Sequence, residues 1–458
     1  MGDHDVTETT SKSAAPADVL RLGAMTAERI LDGSRRAGEP DFLSRRRAGA
    51  RAHWERTPFP ARTEDLWRRT DTTGFAWDMF LPGRDPHPRV DAAEALPEHL
   101  RSELGPRGER SALLVQLDSH NVLAEIDPEL AARGVVVLPI AEAARRHPAL
   151  VERTLGSIVR PEESRFTAMN AALQSGGAFV HVPTGVTVPR PIEVLFSRQC
   201  PDLAVFPHVV VALEPGSEAI VVEEYVSPGE PGTGLSVGAT EVSVGQGAQL
   251  HLATFLRWGT NVHHFGTERV RVQRDGRFHW TVAALGGKLT KVDLEMHLEG
   301  PGSEARLSGC YFGNETQHFD FHTFQNHRVG DSVSDLLFKG ALRDRARTVY
   351  QGLIKVHRDA QRSDAYQANR NLLLSPKARA DSIPSLEIEA NDVRCTHGAT
   401  VSQVEEEQLF YLRARGLTQR EAEHMIVLGF FEPVLQRIPL ESLRAAVTSV
   451  VERKSEMS

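Results

Sequence analysis

The 458-residue chain has only three cysteines, Cys200, Cys310 and Cys395. So few thiols in a chain of this length exclude a disulfide framework as its source of stability. They indicate a reducing compartment, so we expect a cytoplasmic protein in which a thiol stays available as a metal ligand.

The sequence also lacks long apolar runs and a strong excess of charge of one sign. No run approaches the roughly 20 residues that span a bilayer. The first 18 residues are polar, acidic and small, so we expect a disordered tail rather than a signal peptide. The formal net charge is −8, which predicts neither a nucleic acid nor an anionic membrane as partner.

A phosphate loop is missing as well. Gly286-Gly287-Lys288 is followed by Leu289, where the loop requires Ser or Thr. We therefore expect that this chain binds no nucleotide itself.

What the chain has is a long region rich in strands and turns, which begins near Phe166 and runs for more than 200 residues. Within it, the pentapeptide at 215–219 recurs at 301–305, and similar turns at 245–248 and 274–277 divide the interval into steps of roughly 29 residues. A period of this length favours a β-solenoid, whose coils bury their apolar sides only by stacking on each other. A β-sandwich is the alternative.

Helical patterns flank this region. One extends from Ala17 to about Arg56, and the last 56 residues carry capping-box patterns that begin at Ser402 and Thr418. The C-terminal helices either cap the open end of the solenoid or form a docking module. The predicted domains are a disordered tail (1–18), an N-terminal helical or mixed domain (19–160), a β-helix core (161–401) and a C-terminal helical domain (402–458).

Cys395 and His397 are the first candidate site. Residues two apart in a strand point to the same face, so sulfur and nitrogen would lie side by side, which suits iron or zinc. Two ligands are half a coordination shell, so a second chain would supply the rest. The alternative is a small buried Cys395 beside a histidine that only hydrogen-bonds a turn.

A second candidate site lies at His318, Asp320 and His322, which share one strand face and could hold a single metal ion. The alternative is a solvated face, opposite a core face that contains Phe319 and Phe321.

Residues 40 to 440 resemble the SufB/SufD family of iron–sulfur cluster assembly proteins, and the block from 349 to 416 is the most specific part. The motifs that carry the resemblance are VYQGLIKV at 349–356, AYQANRNLLLS at 365–375, DVRCTHGAT at 392–400 and LFYLRARG at 409–416. The Cys-x-His-Gly-Ala-Thr sequence is similar to the SufD branch rather than the SufB branch.

The resemblance implies a mainly β protein with a right-handed parallel β-helix, flanked by an N-terminal, mostly helical domain and a C-terminal helical domain. It implies a non-catalytic scaffold in the SUF system that pairs with a SufB-like subunit through the β-helix, or with a second copy of itself. A transient iron–sulfur cluster would form at the shared surface, with His397 as the preferred ligand and Cys395 as the second. A SufC-like ATPase would dock on the C-terminal helices, through exposed residues among Phe410, Met425, Phe430 and Phe431.

Two other functions remain open from the sequence. One is a β-solenoid enzyme acting on an acidic polysaccharide, and the other is a mononuclear metalloenzyme that uses His318, Asp320 and His322.

Overall fold

The structure, a computed structural model, describes residues 20–83, 86–104, 109–229, 232–438 and 441–456. The tail predicted for residues 1–18 lies outside the described residues. The helices are α1 Ala27–Arg36, α2 Asp41–Arg56, α3 Glu98–Arg101, α4 Pro128–Ala132, α5 Ile140–Arg146, α6 Pro148–Thr154, α7 Arg165–Leu173, α8 Glu406–Ala414, α9 Gln419–Leu435 and α10 Glu441–Glu456.

Strands make up most of the remaining chain. They are β1 Ala112–Leu117, β2 His120–Ile126, β3 Val136–Leu138, β4 Ala178–Val182, β5 Ile192–Ser197, β6 Ala204–Val205, β7 His208–Leu213, β8 Glu218–Val226, β9 Gly234–Val244, β10 Gln249–Arg257, β11 Val262–Val272, β12 Arg277–Ala284, β13 Leu289–Leu298, β14 Glu304–Gly313, β15 His318–His327, β16 Val333–Leu342, β17 Arg347–Val356, β18 Asp364–Leu373, β19 Arg379–Ile388 and β20 Arg394–Gln403.

Successive strands alternate between two sheets and so wind into a β-solenoid of about eight turns. Sheet I has the order β2-β1-β5-β8-β10-β12-β14-β16-β18-β20, and sheet II has the order β19-β17-β15-β13-β11-β9-β7-β4-β3, with β6 paired to β9. Strand pairs from β7–β9 and β8–β10 onward are parallel. The predicted solenoid is therefore confirmed, and the sandwich alternative is wrong.

The coil length explains the repeat in the sequence. Residues that occupy the same register position in successive coils are 27 to 31 residues apart in the chain. One such set is Glu218, Gln249, Arg277, Glu304, Val333, Asp364 and Arg394. The turns stack too. The N–H of Gly216 donates to Gln246 O at 2.9 Å, and that of Gly247 donates to Arg274 O at 2.9 Å. Gly216 and Gly247 both have positive φ, a conformation in which glycine carries no steric cost.

The end of the solenoid near the N-terminus is closed. β1 pairs in parallel with β5, and its other edge pairs with the antiparallel strand β2. The edge of β4 pairs in the same way with the antiparallel strand β3. These three strands lie within the predicted N-terminal domain yet belong to the two sheets, and the domain limits stay a prediction.

Helices α9 and α10 pack on the outer face of sheet I. Val427, Phe431 and Val434 of α9 are buried against a row that includes Phe312 and Leu337. Helix α9 therefore covers β14 and β16 and does not cap the end of the solenoid.

The helix boundaries partly follow the predicted capping signals. Thr418 and Glu421 form the expected reciprocal box at the start of α9. The box expected at Ser402 is wrong, because β20 continues to Gln403 and α8 begins after Glu405 with no side-chain cap. Pro433, which would be expected to follow a helix rather than to continue it, lies inside α9.

Two carboxylates lie in the apolar lumen between the sheets. Glu223 alternates with the core residues Val221 and Tyr225, and its Oε2 accepts a hydrogen bond from the Tyr225 hydroxyl at 3.1 Å. Glu268 is also buried. Burial raises the pKa of Glu223 to about 7, and burial together with the charge of Glu223 raises the pKa of Glu268 well above its usual value.

Replacing Glu268 with Gln should stabilise the protein at pH 8. Because the folded-state pKa values are raised, the folded chain keeps protons that the unfolded chain releases, so stability falls as pH rises from about 4.5 through 7. Each pKa unit corresponds to about 1.4 kcal/mol, so we expect the free energy of unfolding to rise by an amount on the order of 1 kcal/mol. Urea unfolding at pH 5 and pH 8 measures this, with the exposed Glu218→Gln as control; an equal loss in wild type and variant between the two pH values would contradict it.

Candidate functional site

The last coil of the solenoid, residues 379–403, is uncovered and is called the end coil. β19 is hydrogen-bonded only to β17, and β20 only to β18, within the part of the chain that the structure describes. None of the ten residues in either strand is buried. An open edge of this length is a template for pairing with another chain.

The free backbone groups of β20 form an unbroken row. The N–H of Arg394 donates to Ser363 O in the neighbouring coil at 3.0 Å. The backbone N–H and C=O groups of successive residues point to opposite edges of a strand. The groups that point to the outer edge of β20 therefore belong to Cys395, His397, Ala399, Val401 and Gln403.

The corresponding row of free backbone groups on β19 is interrupted. The N–H of Arg379 donates to Ala346 O in the neighbouring coil at 3.1 Å. The backbone N–H and C=O groups of the even-numbered residues of β19 therefore point to the outer edge. Pro384 is one of them and has no N–H. Of the two edges, β20 therefore offers the complete set of donors.

Cys395 and His397 lie on the lumen face of β20. They pair in register with Ala365 and Gln367, whose side chains are buried in the lumen. The structure thus brings the two side chains to one face, as their two-residue spacing predicts. Their role as ligands stays a prediction.

The two side chains have different surroundings. Cys395 is half-buried and packs at the margin of an apolar cluster with Ile354 and Ala365. Burial, with a contribution from Asp364, raises the pKa of its thiol, so iron would have to displace the proton to bind the thiolate. His397 is exposed and is free to meet a ligand at the edge.

This pair is not a complete metal site. Among the described residues, no three His, Cys, Asp or Glu side chains gather in an arrangement that could hold a metal ion. A tetrahedral site would need at least two further ligands.

The face that carries His318, Asp320 and His322 is buried beneath the N-terminal segment, so the expectation of a solvated face is wrong. Lys291 Nζ lies 2.9 Å from Asp320 Oδ2 and 3.0 Å from His322 Nε2. The Thr70 hydroxyl donates to the same carboxylate oxygen.

The ammonium group of Lys291 occupies the position that a bound metal ion would take between these side chains. Burial alone would raise the pKa of Asp320, but the Lys291 charge and the His322 hydrogen bond hold it well below its usual value. His322 also contacts Asp293 Oδ1 through Nδ1 at 2.9 Å. The resulting ion-pair network argues against a mononuclear metal centre here.

The C-terminal helices carry an exposed apolar patch. Helix α8 has no buried residue, and Phe410 and Tyr411 are 74% and 57% exposed. Met425 on α9 is 51% exposed, whereas Phe431 is fully buried against sheet I. Of the four residues expected at a docking surface, Phe430 is only partly buried and Phe431 is excluded. Tyr411 is a further exposed aromatic residue of the patch, and no sequence pattern distinguishes it.

No helix in the described ranges is both long and apolar enough to cross a membrane.

Comparisons with known proteins show which family this chain matches. The family described as "SUF system FeS cluster assembly, SufBD core domain" matches residues 196–430, and "SufBD protein N-terminal region" matches residues 109–194.

Individual relatives extend the match over most of the chain. The iron–sulfur cluster assembly protein SufD of Bacillus subtilis is 29% identical over 418 residues, which cover 91% of this chain and 94% of the relative. SufB of the same organism is 26% identical over 425 residues, covering 91% and 90%. A SufBD family protein of Staphylococcus saprophyticus is 28% identical over 355 residues, covering 76% of each chain. The chain therefore belongs to the SufBD family of SUF-system iron–sulfur cluster assembly proteins.

Proposed function

We propose that this protein is a non-catalytic scaffold subunit for iron–sulfur cluster assembly and that its end coil pairs with a SufB-like companion. The open end coil carries the proposal, because in the described part of the chain two strands of ten residues, each paired along one edge only, end the solenoid there. A companion strand that pairs with β20 would satisfy the free N–H and C=O groups of that edge. In the absence of a companion, a second copy of this chain could occupy the same edge.

The nascent cluster is the cargo of this surface. A strand paired with β20 would place its own side chains about 4.5–5.5 Å from their partners on the lumen face. At that distance His397, with Cys395 next to it on the same face, could share iron with ligands from the companion. Imidazole and thiolate both suit iron, and His397 is the preferred ligand because it is exposed.

The patch on α8 and α9 would dock a SufC-like ATPase. Exposed aromatic residues on a helix with no buried face of its own are typical of an interaction surface. ATP hydrolysis would then come from the partner, in accordance with the missing phosphate loop of this chain.

Replacing Phe410 with Asp should release the ATPase. Truncating an aromatic anchor at the centre of an interface typically costs at least 2 kcal/mol, which is a loss of affinity of roughly thirtyfold. Co-purification of the ATPase with the full-length chain measures the loss. Met79→Asp is the matched control, since Met79 is also an exposed apolar residue. Equal recovery of ATPase with both variants would remove α8 from the docking surface.

A further inference from the structure

The lumen becomes polar directly beneath the end coil. On β18 the side chains that face the lumen include three amides, Gln367, Asn369 and Asn371, and each is at most 1% exposed. On β16, one coil deeper, the apolar residues Leu336 and Phe338 hold the positions in register with Gln367 and Asn369. A buried amide requires hydrogen-bond partners, so these side chains make directed contacts across the lumen.

Gln367 reaches across the lumen to sheet II. Its Nε2 donates to Gly352 O on β17 and to Ser385 O on β19, each at 3.3 Å. Its Oε1 accepts a hydrogen bond from the Tyr350 hydroxyl at 3.3 Å. The amide therefore connects β18 of sheet I with β17 and with β19, one strand of the end coil.

The surroundings fix the position of this amide. A Cβ at position 352 would collide with Gln367 Oε1 and with the Tyr350 hydroxyl, so Gly352 leaves the space that the amide fills. The Tyr350 hydroxyl lies 2.8 Å from Thr323 Oγ1, which holds the donor to Gln367 in place. Gln367 is therefore a fixed link and not a mobile side chain.

The end coil depends on links of this kind. No residue of β19 or β20 is buried, so side-chain packing contributes little to holding the two strands. Segments with few buried contacts open locally more easily than the rest of a protein. Gln367 donates to the backbone of β19 and pairs in register with His397 of β20. One side chain of the preceding coil thus holds one strand of the end coil and lies beneath the other.

We propose that Gln367 is a positioning residue of the cluster site, which holds the two strands of the end coil at the separation that brings His397 to the ligands of the companion. This inference rests on the proposed function, in which His397 shares iron across that edge. Functional groups have to be held within roughly 0.5 Å of their productive position. Gln367 acts through the end coil and does not bind the cluster, because its amide nitrogen and oxygen both have partners inside the protein.

Gln367→Met tests the link in the isolated full-length chain, because it keeps the side-chain length and removes the hydrogen bonds. Deuterium exchange of residues 379–403 should become faster by roughly fivefold or more. Gln325→Met is the matched control. Gln325 is a fully buried lumen amide too, but its Nε2 donates to Ser334 Oγ at 2.7 Å and to Tyr366 O at 3.1 Å, away from the end coil.

A second variant approaches the same link from β17. Gly352→Ala places a methyl group where the Gln367 amide lies, so it should also speed exchange of the end coil. A thermal melt checks that each variant folds, and Gln325→Met should leave exchange of the end coil unchanged. Wild-type exchange of the end coil in both folded Gln367→Met and folded Gly352→Ala, or an equal increase in Gln325→Met, would overturn the proposal.

The role at the cluster is measured on the complex with the companion. After anaerobic reconstitution, iron and sulfide per paired chain should fall at least about tenfold in Gln367→Met, the size of effect that residues behind metal ligands typically have. The visible absorption spectrum of the remaining cluster should also differ from that of wild type, and Gln325→Met should match wild type in both measurements. A wild-type cluster in Gln367→Met would overturn the positioning role. A wild-type complex that assembles no cluster would contradict the proposed function itself, whereas deuterium exchange shows separately whether Gln367 holds the end coil.

Discussion

Replacing Ala399 with proline should prevent pairing at the end coil while the isolated chain stays folded. The N–H of Ala399 points to the free edge of β20, so its loss leaves the ladder with β18 intact. Proline is compatible with edge strands when the missing N–H faces outward, and Pro384 holds the equivalent kind of position on β19.

The expected loss of pairing is large. A companion carbonyl left without its donor costs about 1–3 kcal/mol, and the proline ring also obstructs the approach of a neighbouring strand. The fraction of companion that co-purifies with tagged chain should fall at least about tenfold.

Thr400→Pro is the matched comparison. Thr400 pairs with Arg370 of β18 and directs its N–H inward, so this variant should lower the melting temperature of the isolated chain, whereas Ala399→Pro should not. Wild-type pairing by Ala399→Pro would show that the β20 edge is not the interface.

Replacing His397 with Ala should stop cluster assembly without separating the subunits. Its side chain is exposed on the lumen face of β20 and makes no contact that the fold requires. Removing a metal ligand should reduce assembly by no less than the roughly 10–100-fold typical of outer-shell substitutions.

Iron and sulfide content after anaerobic reconstitution of the complex measures this effect. Thr396→Ala is the control, since Thr396 is an exposed neighbour on the opposite face of the same strand. Cys395→Ala should have a smaller effect than His397→Ala, because Cys395 is half-buried whereas His397 is exposed at the edge. Undiminished assembly by a paired His397→Ala complex would remove this residue from the mechanism.

The solenoid could be predicted from local signals. Each coil turns through a position with positive φ, which favours glycine or aspartate, so Gly216, Gly247 and Asp275 recur at the coil period. The shared face of Cys395 and His397 likewise follows from strand geometry alone.

Features that depend on distant contacts could not be predicted in this way. The face of Asp320 is covered by Thr70, 250 residues earlier in the chain, and no local pattern signals that contact. Phe431 and Phe410 have similar chemistry and lie in neighbouring helices, but only Phe431 meets the apolar face of sheet I. The openness of the end coil depends on where α9 and α10 pack, which is a property of the whole molecule.

Iron and acid-labile sulfide per chain, measured after anaerobic purification of this protein alone and together with its companion, test most directly whether the site is shared between two subunits. We expect a cluster on the paired chains and neither iron nor sulfide in stoichiometric amount on the isolated chain. A full cluster on the isolated chain, unaffected by Ala399→Pro, would contradict this account.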